Sequence, residues 1–162
     1  MRRRQRHLGL LGAAALVFAT GCGDGLASPD DVDVVNAGPE VVEFAAQMND
    51  HRLAEGCGAL TWHDGVAAVA QAHSQDMVDR GFFSHTNPDG ESPWDRLGDG
   101  GVTWSGGAGE NIAAGTSDPT TVLTLWLNSS GHRANIENCG FTDHGIGLAS
   151  GHWTHVFVTN PD

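Results

Sequence analysis

AQAHSQDMVDRGFFSHTNPDGESPWDRL (Ala70–Leu97) reads as the end of a helix, a turn and the start of a second helix. Val66, Val69, Ala70, His73 and Met77 recur at helical spacing, Asp64 can cap that helix, and Gly81 stands where it can stop. Asn87-Pro88-Asp89-Gly90 forms a turn, with proline presetting one φ and glycine relieving the last position. Ser92-Pro93 then opens a short helix, serine as N-cap and proline in the first turn. His85 falls between helix and turn, with one residue between it and the aromatic pair Phe82-Phe83.

Working outward, Val41, Phe44, Ala45, Met48 and Leu53 lie near helical spacing, and Gly56 can end that element. Leu60-Thr61-Trp62 is a short extended piece. Downstream, Asp118-Pro119 repeats the cap-and-proline device ahead of Val122, Leu123 and Trp126. Gly145–Ala149 and His152–Val158 flank Ser150-Gly151, a pair suited to a two-residue hairpin. Helices early, strands late and helix between them predict an α+β layered domain over residues 40–162.

The N-terminus reads as a leader, residues 1–21. Four arginines precede a short apolar run, Leu8–Ala19, which is too short to span a bilayer permanently. Ala19-Thr20-Gly21-Cys22 resembles a bacterial lipobox, in which Cys22 would be lipidated and become the first mature residue. Ordinary cleavage and an uncleaved anchor are the alternatives. Residues 22–39, rich in Gly, Asp, Ser and Pro, read as a flexible acidic tether, and no EF-hand pattern follows the Asp30–Asp33 cluster. The whole chain carries −12, but the leader holds four of the eight basic residues and none of the twenty acidic ones, so the mature chain carries −16. That charge argues against binding nucleic acid or an anionic membrane surface. Cys57 and Cys139 remain, and in an oxidising compartment they are expected to pair; two free thiols are the alternative.

Two later words also carry chemistry: GENIAAG (Gly109–Gly115) and GHRANI (Gly131–Ile136). With the first stretch they supply His85, Glu110 and His132, each expected near the end of an element where side chains converge. Two imidazoles and a carboxylate suit a divalent ion or proton transfer. The bland readings are a loop-bracing His85, a Glu110 that accepts backbone amides, and a His132 that caps a helix. His73 is expected in the core, and His152 and His155 point to opposite strand faces. His51, His63 and His144 have no evident partner in the sequence. There is no zincin helix motif, nucleophile-elbow serine or phosphate loop.

Together with WLNSSGHRANI, GIGLAS and the closing HWTHVFV, these words resemble the CAP superfamily (SCP-like; cysteine-rich secretory, antigen-five and pathogenesis-related-one proteins), in its bacterial secreted branch. The resemblance covers Val41–Pro161 and implies an α-β-α sandwich with a central antiparallel sheet and a cleft. Family members with the full site carry two histidines and two glutamates there, sometimes with a divalent cation. Those positions fall here on His85, Glu110 and His132, while Ser129 and Ser130 stand where the second glutamate is expected. Zn2+ or another divalent cation is the implied cofactor, held by the remaining three residues.

Two functions follow. One is an exported, lipid-anchored binding module that engages a lipid, a small molecule or a cell-envelope component. The other is a metal-assisted peptidase or esterase using the same cleft. The incomplete ligand set favours the first.

Overall fold

A computed structural model describes residues 37–162; the leader, Cys22 and the tether up to residue 36 lie outside the described residues. The chain runs α1 (Pro39–Ala54), β1 (Thr61–Trp62), α2 (Asp64–Arg80), α3 (Pro93–Asp99), β2 (Ala108–Ala114), α4 (Pro119–Leu127), α5 (Ser130–Ile136), β3 (Asp143–Ala149) and β4 (His152–Val158). The strands form one sheet in the order β1-β3-β4-β2. β2, β4 and β3 are antiparallel as expected, but β1 joins β3 in parallel through Thr61 and Trp62 alone. So the sheet is mixed at one short edge.

Helices cover both faces. Phe44 and Met48 of α1, Val122 and Trp126 of α4, and Ile136 of α5 pack with Trp153 and Phe157 on one face. Val66, Val69 and Ala70 of α2 and Leu97 of α3 pack with Val156 and Val158 on the other. This is the α-β-α sandwich. Gly145 and Gly147 of β3 explain how closely α2 sits: a Cβ on the first would overlap the Ala67 amide nitrogen, and one on the second the Ala70 carbonyl. The hairpin turn has positive φ at both central residues, 44° at Ser150 and 77° at Gly151, the geometry that matches strand twist.

Three local expectations need correction. His63, not Asp64, caps α2: its Nδ1 accepts from the Val66 amide at 3.2 Å, because His63 is the last residue with extended backbone. Leu53 is 53% exposed, and the buried position in that turn belongs to Arg52. GENIAAG is the interior of a strand, so Glu110 does not lie at an element's end. GHRANI belongs to a helix, α5, and His132 sits in its first turn, near an element's end as expected.

Arg52 is buried, with no carboxylate partner among the described residues. It donates instead to the carbonyls of Gly58, Ile136, Asn138 and Phe141, at 2.6–3.4 Å. Burial lowers its pKa from the usual guanidinium value. The partial negative charge of carbonyls near the ends of α1 and α5 does what a counter-ion would otherwise do. Cys57 and Cys139 form the expected disulfide beside this knot.

Candidate functional site

The site is built around β2, an outer strand of the sheet. Its outward carbonyls are taken by side chains from the helices: Trp126 Nε1 donates to Ile112 O at 3.1 Å, and Asn135 Nδ2 to Glu110 O at 3.3 Å. An edge strand sealed this way cannot recruit another strand there. Neighbouring residues on a strand face opposite ways. Glu110 therefore points to the α2–α3 side and Asn111 to the α5 side, where α5 carries His132.

On the first side, Glu110 is buried, its side chain 3% exposed, and both carboxylate oxygens are engaged. Oε1 meets His85 Nδ1 at 2.7 Å, and Oε2 accepts from Arg96 Nη2 at 2.8 Å. Arg96 comes from α3, whose first turn is set by a reciprocal capping box between Ser92 and Asp95. Its other terminal nitrogen donates to the carbonyls of His85 and Glu91, so one guanidinium holds both the carboxylate and the loop. His73, buried in α2 as expected, bonds Ser84 O through Nε2 at 3.0 Å, one residue before His85. Burial, and then the Arg96 cation, lower its pKa. A carboxylate only accepts, so His85 Nδ1 donates, and Nε2 is left without a partner among the described residues on a side chain 49% exposed.

On the second side, Asn111 Nδ2 donates to His132 O at 3.0 Å, and Asn135 Nδ2 donates to Asn111 Oδ1 at 2.8 Å. The His132 ring lies 6.2 Å from that of Trp126. Burial lowers its pKa, and His85 adds to the effect.

The structure thus joins His85 directly to Glu110 and leaves His132 as a neighbour. Each Glu110 oxygen already accepts one bond, from His85 or Arg96, so an ion there would share the carboxylate with the Arg96 cation. Among the described residues, the His/Glu group with ligand atoms within 4.8 Å of one another is instead His51, Glu55 and Glu137. His152, at the start of β4, lies by Phe83 and the hairpin turn.

Three residues escaped the sequence reading: Arg96, Asn111 and Asn135. The available signal was their position inside the quoted words, and for Asn111 and Glu110 their place within a strand that is otherwise small and apolar. Asn111→Leu is expected to cost about 1–3 kcal/mol, because it strands the His132 carbonyl and the Asn135 amide. Urea unfolding measures this, and a variant as stable as the parent would remove Asn111 from the clamp.

Beside Arg96 a groove of about 600 Å³ opens between α2 and the 87–100 segment. Val69, Ala68 and Ala72 line it together with Asp76, Asp89, Glu91 and Asp99, and Arg80 pairs with two of those carboxylates. Among the described residues, His73 Nδ1 and Arg96 Nε are buried without a protein partner, and both residues line this groove.

Residues 45–160 match the profile of the cysteine-rich secretory protein family, CAP. The chain belongs to the CAP family. This CAP domain is 40% identical over 121 residues to an uncharacterized protein, YkwD, of Bacillus subtilis, covering 74% of this chain and 46% of the relative. It is 37% identical over 107 residues to an uncharacterized membrane protein, YlbC, of the same organism, covering 66% and 31%. The chain therefore spans less than half the length of these curated relatives. Among solved structures, an extracellular SCP-domain protein of Bacillus anthracis superposes with a TM-score of 0.72 at 37% identity, covering 83% of this chain and 45% of that one. An outer surface protein of Borrelia burgdorferi, at 17% identity, shares the fold with a TM-score of 0.68, covering 77% of this chain and 96% of that one.

Proposed function

We propose that this CAP domain is an exported binding module, held at the cell envelope by a lipid on Cys22, whose ligand seat is the groove beside Arg96. The observation that carries the reading is the closed state of Glu110: with Arg96 on one oxygen and His85 on the other, it is not free to act as a general base. What stays open is recognition chemistry. A lining of small apolar side chains with charged groups of both signs and two unpartnered buried nitrogens suits a small ligand with an apolar body and polar substituents. The leader supports export, as do a Bacillus relative described as extracellular and another described as a membrane protein.

A second reading, hydrolysis, draws on the Glu110–His85 contact. A carboxylate behind an imidazole fixes its tautomer, an arrangement that general bases use. A panel of peptide and ester substrates, run with the parent and with His85→Ala, separates the two. The binding reading expects no turnover that depends on His85; a loss of turnover of a hundredfold or more in His85→Ala would establish the hydrolase instead. Radiolabelled palmitate incorporation compared with Cys22→Ser tests the anchor. Label is expected in the parent alone, and equal labelling would remove it.

A further inference from the structure

A second set of metal-ligating groups meets away from β2. His51 lies in the last turns of α1, Glu55 caps that helix one turn later, and Glu137 caps α5. One ligand atom from each lies within 4.8 Å of the other two, and His51 Nε2 is 3.1 Å from Glu137 Oε1. We propose that His51, Glu55 and Glu137 bind a zinc-class divalent cation that clasps the end of α1 to the end of α5.

The donor set selects the ion. One imidazole and two carboxylates suit zinc, with three protein ligands leaving a fourth position for water. Calcium and magnesium prefer all-oxygen shells, and the imidazole disfavours them. Two carboxylates also supply the negative charge that a dication needs. The competing cation at the site is Arg133, whose Nε is 4.0 Å from Glu137 Oε2 and whose side chain is exposed enough to move aside.

Preorganisation separates this group from a chance cluster of surface acids. The disulfide partner Cys57 follows Glu55 by two residues, and Cys139 follows Glu137 by two. Arg52, next to His51, donates to the carbonyls of Ile136 and Asn138, the residues on either side of Glu137. Both stretches of backbone that carry the ligands are thus tied together before any ion arrives, so little chain entropy remains to be lost on binding. The site shares no residue with the Arg96 groove, and the proposal stands whether or not the groove binds a ligand.

Calorimetric titration of EDTA-stripped protein with zinc chloride decides it. One equivalent should bind to the parent and to His85→Ala and His132→Ala alike, and should raise the parent's melting temperature. His51→Ala and Glu137→Gln should each weaken binding at least tenfold and lose the thermal shift. Glu55→Gln, at an exposed position outside the His51–Glu137 hydrogen bond, gives a variant whose fold is not at risk and should also weaken binding. Parent-like binding in all three variants overturns the site, as does loss of binding in His85→Ala or His132→Ala.

Discussion

Arg96→Ala is expected to destabilise the domain by about 3–5 kcal/mol, the usual cost of leaving one partner of a buried ion pair alone. The side chains of Glu110 and Arg96 are only 3% and 9% exposed, so the variant leaves a largely shielded carboxylate without its cation. Two further bonds, to the carbonyls of His85 and Glu91, go with it and release the loop that carries His85. For a domain of this size the melting temperature should fall by roughly 10–20 °C. The double variant Arg96→Met/Glu110→Gln should recover most of the loss, because it removes both buried charges and keeps the packing. A single variant as stable as the parent would show that Glu110 is not a buried carboxylate that needs its cation.

The second large effect is acid lability. His144 and His155 lie fully buried on neighbouring strands, His144 Nδ1 to His155 Nε2 at 3.0 Å, with His155 against Phe157 at a ring separation of 3.8 Å. One ring donates and the other accepts, and their outer nitrogens have no partner among the described residues. Burial, and then the Arg52 cation, push His144 down to about 3. Burial, then His144 and Arg52, hold His155 well below the ordinary imidazole value. The unfolded chain takes up protons near pH 6.5 and the folded one does not. Stability is therefore full above pH 6.5 and falls as the pH drops through the window down to about 3. Each histidine contributes up to about 1.4 kcal/mol per pH unit, so the pair should cost about 4 kcal/mol between pH 7 and pH 5. Urea midpoints at the two pH values measure this. Replacing both with leucine should remove most of the slope, leaving the smaller parts from His73 and His132, whose pKa values are also lowered. Equal slopes in parent and double variant would place the acid sensitivity elsewhere.

These two predictions also mark where the sequence stopped being informative. The cap-and-proline starts at Ser92 and Asp118, the Gly81 stop and the Ser150-Gly151 hairpin were legible because each is local: a few neighbouring residues contain the whole cause. The Cys57–Cys139 pairing was legible by count. His144 and His155 were not, since eleven residues and a hairpin separate two rings that only strand register brings together. The same holds for Arg52, whose partners lie mostly 84–89 residues away. At the cleft, the motif words named His85, Glu110 and His132, but not what each touches.

The sequence alone pointed to an α+β domain, because apolar periodicity and turn chemistry act between near neighbours, and its motif words resembled the CAP family. Tertiary structure decided that Glu110 is held between a histidine and an arginine, and that His132 belongs to the opposite layer. The reason is geometric: adjacent strand residues face opposite ways, so Glu110 and Asn111, joined by one peptide bond, reach different halves of the molecule.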